Sequence, residues 1–210
     1  ARRAAAQRAE RAEQAALARF AASAQLADVP KQYLTSYRAA ARTCPGLSWT
    51  VLAGIGTIES DNGRSAARGV HSGTNPKGAE GPMQFEPGTF AEYKVRMDQS
   101  RKLTPYDPMD AIYSAARMLC ANGAGSAEGL HGAIFAYNHA CWYVQDVLTI
   151  ASRYATQARP KPEMKPRSKH QRRRKPHAKK EKTKAARTRK KRPARRHPGG
   201  QGGSQPAGAC

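Results

Sequence analysis

The chain has 210 residues, with 37 Lys+Arg against 15 Asp+Glu and a formal net charge of +22. The excess is concentrated at one end: residues 1–158 carry 17 basic and 13 acidic side chains, residues 159–210 carry 20 and 2. All 14 aromatic residues fall between Phe20 and Tyr154, so the last fifty-odd residues cannot build a core, which excludes two globular domains, a collagen-like chain and a small disulfide-rich scaffold.

No run of 18 apolar residues occurs, so the sequence contains no candidate membrane-spanning helix. It starts at Ala1 and opens with an Arg- and Ala-rich stretch rather than an apolar signal core. That start fits a chain whose signal peptide has been removed, or a fragment.

In chain order, residues 1–27 alternate Ala with Arg, Glu and Gln, with Leu17, Phe20 and Leu26 the only large apolar side chains. This predicts a helix by propensity that is weakly anchored, a stalk or solvated linker. The core begins near Val29-Pro30. Tyr33, Leu34 and Tyr37 share one helical face, and Cys44-Pro45-Gly46 interrupts it. Ser48 is the expected N-cap of a helix in which Trp49, Leu52, Ile55, Ile58 and Glu59 lie on one buried face, with Asn62-Gly63 as its stop. Residues 64–88 lose periodicity. Five glycines and three prolines there predict a long shaped loop with room for a short hairpin, the kind of segment that usually carries function. A short helix is expected from Thr89.

Asp107-Pro108 then opens a well-signalled helix, with Asp107 as N-cap, Pro108 at its first position and Asp110 complementing the positive helix end. Ile112, Ala115, Ala116 and Leu119 form its inner stripe and Gly123 ends it. Leu130, Ala133, Ile134 and Tyr137 mark the next helix; Val144, Val147, Leu148, Ala151 and Tyr154 mark the last. Strand-type alternation is nearly absent. The reading is a mostly α domain over residues 28–156, preceded by a linker helix (1–27) and followed by a disordered Lys/Arg/Pro-rich tail (157–210) ending in Gly, Ser and Pro.

Glu59 is the first candidate for chemistry. It ends an apolar helix and faces the irregular loop. Burial and the negative helix end both favour the neutral carboxylic acid, which near neutral pH can give a proton to a leaving oxygen. Arg64 opposes this if it folds back onto Glu59. The plain alternative is a carboxylate that ends an amphipathic helix in water.

Four segments bear on that choice: Ile58-Glu59-Ser60-Asp61-Asn62-Gly63-Arg64; Gly78-Ala79-Glu80-Gly81-Pro82-Met83-Gln84-Phe85; Asp110-Ala111-Ile112 with Ser114-Ala115-Ala116 and Asn122-Gly123; and Ala136-Tyr137-Asn138-His139. Each is weak alone. In this order and spacing they resemble the signatures of lytic murein transglycosylases with a lysozyme-like fold, from about Pro30 to Tyr154. The likeness is greatest to the membrane-bound lytic transglycosylase B type in its shorter, actinobacterial secreted form.

The resemblance implies a helical, goose-type or soluble-lytic-transglycosylase-like domain that acts outside the cytoplasm on peptidoglycan. It implies cleavage of the β-1,4 bond between N-acetylmuramic acid and N-acetylglucosamine, with anhydro ends. Glu59 matches the acid/base, Gln84 a glutamine lining the sugar cleft, Tyr137 and Asn138 the pair on the cleft floor, and Tyr143 a second cleft tyrosine. Met83 and Phe85 are expected on the cleft wall, though apolar residues beside a turn are as often core. Cys141 stands where Asp or Ser is expected.

The rival within the enzyme class is water attack, as in a goose-type lysozyme, with Asp61, Glu80 and Glu86 as candidate second carboxylates. Outside that class stands a glycan- or polyanion-binding wall protein without catalysis. The resemblance also implies a Cys44–Cys120 disulfide, worth up to about 4.5 kcal/mol by loop entropy, with Cys141 left free and buried beside Trp142. Cys210 is terminal and expected to be exposed. No cofactor is expected. His71, His131, His139 and Cys141 lack metal-site spacing, so no metal is expected either.

In the tail, Arg172-Arg173-Arg174-Lys175 and Arg189-Lys190-Lys191-Arg192 have the look of nucleic-acid patches. No aromatic residue is interleaved to stack on bases, so nucleic acid is disfavoured. An anionic wall polymer or anionic lipid is the expected partner, with a solvated linker as the equal alternative. The enzyme is expected to be a wall-associated monomer.

Overall fold

The computed structural model describes residues 2–159. Seven α-helices follow one another: α1 Arg2–Ser23, α2 Lys31–Ala41, α3 Trp49–Ser60, α4 Pro87–Tyr93, α5 Pro108–Ala121, α6 Ala127–Tyr137 and α7 Cys141–Gln157. A 3₁₀ turn, Leu26–Asp28, joins α1 to α2. No strand forms among the described residues; one isolated bridge pairs Glu80 with Phe85. The expected tail from residue 157 begins one residue inside α7, which ends at Gln157; from residue 160 on, including both basic clusters and Cys210, it lies outside the described residues.

The helix ends follow local chemistry. The Ser48 hydroxyl accepts from the Thr50 N–H at 3.3 Å, and the Asp107 carboxylate accepts from Met109 and Asp110 N–H groups, with Pro108 at the first helical position. Ser126 caps α6 by accepting from Gly129 N–H at 3.1 Å. At the far end of α3 the chain turns left-handed at Asp61, Asn62 and Gly63 (φ 52°, 56° and 74°), so the stop begins one residue before the Asn62-Gly63 pair.

The helix α3 is the axis of the domain. The spacing of its apolar residues predicts one buried face, but Thr50 to Thr57 are buried all round. It is flanked by α7, its most extensive partner, by α2 and by α5. Two glycines permit this close packing. A Cβ on Gly54 would stand 2.8 Å from the Val147 carbonyl oxygen of α7, and one on Gly56 would stand 1.9 Å from the Tyr37 hydroxyl of α2. A helix hydrophobic on every side is a core helix.

Polar groups stitch the C-terminal half of α3 to its neighbours. The Tyr37 hydroxyl donates to Asn62 Oδ1 at 2.9 Å, and Asn62 Nδ2 donates to Thr57 Oγ1 at 3.1 Å. Thr57 Oγ1 also lies 2.9 Å from the Tyr154 hydroxyl of α7. This buried chain joins α2, α3 and α7 through the Glu59–Gly63 segment.

Other expectations change. Asp110 is buried rather than serving only the helix end; its carboxylate accepts from Met97 and Thr104 N–H groups at 2.9 and 3.3 Å, tying the 94–104 loop to α5. The short helix starts at Pro87, two residues before Thr89. The first helix is exposed along most of its length but is not a free linker at its end. Ala21 is buried, and the Ala24 carbonyl accepts from Arg153 and Gln157 of α7.

Cys44 and Cys120 form a disulfide that joins the turn after α2 to the last turn of α5. Cys141 is a correction: it is exposed at the first position of α7, not buried, and it is disulfide-bonded rather than free.

The 76-residue separation of Cys44 and Cys120 sets an entropic stabilisation of up to about 4.5 kcal/mol. Cys44→Ser/Cys120→Ser should therefore fold with a melting temperature lowered by roughly 10 °C or more. Thermal unfolding of oxidised wild type and the double variant measures this; equal midpoints would show that the bond constrains little.

Candidate functional site

The residues after α3 build one wall of a cleft. Asn75 opens a tight turn by accepting Lys77 and Ala79 N–H groups on its Oδ1, at 2.8 and 3.0 Å. The chain then forms a short hairpin in which Glu80 and Phe85 exchange backbone hydrogen bonds of 2.8 and 2.9 Å. Gly81 must be glycine. Its φ is +76°, and a Cβ would stand 1.8 Å from the Pro105 carbonyl oxygen. The Ser60 hydroxyl, beside Glu59, donates to the Pro82 carbonyl at 2.6 Å and accepts from Gly63 N–H at 2.8 Å. One hydroxyl thus fixes the hairpin against the end of α3.

The cleft has a volume of about 450 Å³ and is lined by Glu59, Asn75, Lys77, Gln84, Phe85, Glu86, Tyr137, Asn138 and His139, among others. The α3 end, the 75–86 loop and the α6–α7 junction, distant in sequence, therefore meet on one cavity. Glu59 is partly buried in its wall. The Tyr143 hydroxyl donates to Glu59 Oε1 at 2.5 Å, which leaves Oε2 to hold a proton. Burial pushes the Glu59 carboxyl up to about 7, against the lowering influence of the Tyr143 hydrogen bond and the Lys77 ammonium. Burial first, and then the charge of Glu59, push the Tyr143 and Tyr137 phenols well above their usual range, so both remain protonated donors.

Arg64 does not fold back onto Glu59. It forms an ion pair with Asp61 at 2.6 Å. Gln84 sits at a left-handed φ of 49°, and its side chain is held at both ends: Oε1 accepts from Asn75 Nδ2 at 2.9 Å and Nε2 donates to the Gly81 carbonyl at 2.7 Å. The Tyr137 hydroxyl donates to the Met83 carbonyl at 2.8 Å. Phe85 packs between Phe90 and Tyr137 at ring-centroid distances of 5.6 and 5.8 Å, backing the cleft with an aromatic layer.

The expected site residues thus divide by position. Glu59, Gln84, Phe85, Tyr137 and Asn138 line the cavity. Tyr143 is 1 % exposed and reaches the site through its hydroxyl alone. The Met83 side chain is fully buried behind the wall and contributes its carbonyl instead. Of the candidate second carboxylates, only Glu86 lines the cavity. His139 is at the rim, edge-on to Phe135 at 5.5 Å. Among the described residues no three His, Cys, Asp or Glu side chains converge to hold a metal ion.

Sequence reasoning overlooked Ser60, Asn75 and Lys77. Ser60 was visible only as part of a motif. Asn75-Pro76-Lys77-Gly78 did carry a turn signal, but not its direction toward Gln84.

Residues 21–159 match the family described as Transglycosylase SLT domain. Among solved structures, the chain is similar to the Escherichia coli lytic transglycosylase SLT35 in complex with bulgecin A. The identity is 16 %, the match covers 69 % of this chain and 79 % of that one, and the TM-score is 0.49. No curated protein matches the chain. A family match that covers residues 21–159, about two thirds of the chain, means that the chain belongs to the transglycosylase SLT domain family, as a lytic transglycosylase that acts on peptidoglycan.

Proposed function

We propose that Glu59 is the sole acid and base of this enzyme and that its products end in 1,6-anhydromuramic acid. The observation that carries the reading is the Glu59 carboxyl in the cleft wall, oriented by Tyr143 at 2.5 Å and raised by burial to about 7. A proton held there at neutral pH is suited to a leaving oxygen.

Protonated Glu59 gives its proton to the glycosidic oxygen between N-acetylmuramic acid and N-acetylglucosamine, and the C1–O bond breaks. The N-acetyl oxygen of the same sugar stabilises the cation developing at C1. Ionised Glu59 then takes the proton of the muramic C6 hydroxyl as that oxygen bonds to C1, which restores the acid. No water is consumed. The internal nucleophile gains the high effective molarity of an intramolecular reaction. Asn138 and Tyr137 on the cleft floor orient the sugar. Gln84, held rigid by Asn75 and Gly81, shapes its wall, and Phe85 supplies the apolar backing.

The second reading is hydrolysis, with Glu86 activating water, because Glu86 lines the same cavity. Digestion of purified peptidoglycan in ¹⁸O-water separates the two. Anhydro ends without ¹⁸O are expected; reducing ends carrying ¹⁸O, lost in Glu86→Gln, would establish hydrolysis. Glu59→Gln should lower turnover by about 10²–10⁴-fold while glycan binding persists. Lysis at the wild-type rate would end the Glu59 assignment.

The raised pKa of Glu59 has a sign that can be tested in two ways. Activity should fall as pH rises through about 7. Folding also favours the proton on Glu59, so wild type loses stability between its unfolded pKa and about 7. Glu59→Gln should therefore melt at a higher temperature than wild type above pH 7, with the gap closing in acid. Tyr143→Phe removes a group that lowers the Glu59 pKa. Its pH profile should extend to higher pH while kcat drops roughly tenfold through lost orientation. A profile identical to wild type would place Tyr143 in the core alone.

Peptidoglycan lies outside the cytoplasmic membrane, so the enzyme works there, and we take the shorter secreted form of the B type as its nearest kind. The tail, with 20 basic side chains after residue 158, is the proposed anchor to an anionic wall polymer. Deleting residues 159–210 should weaken retention on polymer-bearing walls at low salt and leave turnover of soluble glycan nearly unchanged. Equal retention with and without the tail would remove the anchor.

A further inference from the structure

Between Val29 and Ile58 the chain carries no acidic residue; its charged side chains there are Lys31, Arg38 and Arg42. Arg38 lies in the last turn of α2 and Arg42 caps it, four residues on, so the two share a face. They line a cavity of about 450 Å³ together with Pro45, Ser48 and Trp49, and no carboxylate borders it. The Arg38 guanidinium lies over the Trp49 ring, 5.0 Å from its centroid. Among the described residues the ion pairs are Arg64–Asp61 and Arg101–Asp107, and neither Arg38 nor Arg42 donates a side-chain hydrogen bond. Both guanidinium groups therefore keep their donors for a ligand.

The walls of this cavity are fixed. Cys44, which lines it, is bonded to Cys120. Gly46, which also lines it, has a φ of +92°, and a Cβ there would stand 2.0 Å from the Gly125 carbonyl oxygen, so the turn after α2 is locked against the α5–α6 connection. Trp49 is half-buried and packs on the core. Its ring holds one guanidinium in place, which reduces the side-chain freedom lost on binding. Trp49 begins α3 and Glu59 stands one residue before its end. The pocket and the acid are thus about 15 Å apart along the helix, at 1.5 Å per residue.

We propose that this pocket binds a phosphodiester of a polyol phosphate polymer in the wall. Arg38 and Arg42 take the phosphate oxygens, and the Trp49 and Pro45 surface takes the adjoining polyol carbons. A guanidinium presents paired N–H donors that match phosphate oxygens bidentately. Two of them on one face, with no carboxylate to compete, suit one anionic centre. The cavity is far roomier than a single ion needs, since a water molecule takes up about 30 Å³, so the alcohol groups on either side of a phosphate also fit. The choice of a wall polymer rests on the reading that the enzyme works at peptidoglycan; the binding chemistry does not rest on the role of Glu59. Because the pocket lies at the other end of α3, bound polymer leaves the cleft open, and the folded domain can be held at the wall while glycan is cut.

The test uses the full chain, whose tryptophans are Trp49 and Trp142. Residues 159–210 hold no aromatic side chain, so an indole signal reads the pocket and not the basic tail. Soluble oligo(glycerol phosphate), titrated into ¹⁵N-labelled protein, should move the Trp49 indole N–H resonance to a saturating shift and leave that of Trp142 in place; Trp142→Phe assigns the two. Arg38→Gln/Arg42→Gln should weaken this binding by about tenfold or more. Arg38→Lys/Arg42→Lys keeps the charge and loses the fork, and should also bind more weakly than wild type; this pair decides the case if the Gln pair folds poorly. Melting temperature and turnover of soluble glycan should stay at wild-type values in the Lys pair. Glu59→Gln should bind as wild type does, so the pocket and the catalytic reading fail separately. An absent or non-saturating Trp49 shift overturns the proposal, as does wild-type affinity in both Arg variants. An equal response to oligoglutamate of the same charge overturns it in favour of a general anion patch. A response to anionic phospholipid vesicles with none to oligo(glycerol phosphate) overturns it in favour of a lipid headgroup.

Discussion

Burial raises the Glu59 carboxyl to about 7, and the end of the helix that carries it is held by a buried polar stitch. Tyr37, Asn62, Thr57 and Tyr154 link three helices below Glu59, while Ser60 pins the 80–85 hairpin beside it. Each of these side chains is hydrogen-bonded, and among the described residues no buried side-chain polar atom lacks a partner. Such a network tolerates little change, because losing one member strands another in a low-dielectric core.

The same constraint explains the distribution of labour among the tyrosines. Tyr143 is buried, and its hydroxyl holds one oxygen of Glu59, the other being the one that carries the proton in the proposed mechanism. Tyr137 spends its hydroxyl on the Met83 carbonyl and so couples the cleft floor to the hairpin wall. The site is assembled from three remote segments, and each is tied to another by at least one side-chain hydrogen bond. Preorganisation of this sort is what the proposed use of a single carboxyl as both acid and base requires of its surroundings.

Around that centre lie two further charged features of the chain. The α1 helix borders a charged side pocket, and a strongly basic segment follows α7 in the sequence. Neither is required for bond cleavage as derived above. The proposed role of the basic segment is to hold the enzyme on its insoluble substrate.

What the amino-acid order determined by itself was local: the caps at Ser48 and Asp107, Pro108 at the start of α5, the break at Cys44–Gly46, the loop character of residues 64–88, and the charge division at residue 159. These depend on neighbours within a few positions, so they are readable in one dimension. The four spaced motifs also contain Glu59, Gln84, Tyr137 and Asn138, and the family resemblance they carry added Tyr143. Tertiary structure decided the rest. It buried α3 on every side, since packing by α2, α5 and α7 is not written in the α3 sequence. It turned Asp110 inward to hold a loop, placed Met83 behind the wall rather than on it, engaged Cys141, and brought the acidic face of α1 to the edge of the cleft. Each of these outcomes depends on a partner beyond the reach of local periodicity, from 6 residues away for Thr104 and Asp110 to 54 for Met83 and Tyr137, and sequence spacing carries no record of which distant groups will share a low-dielectric space.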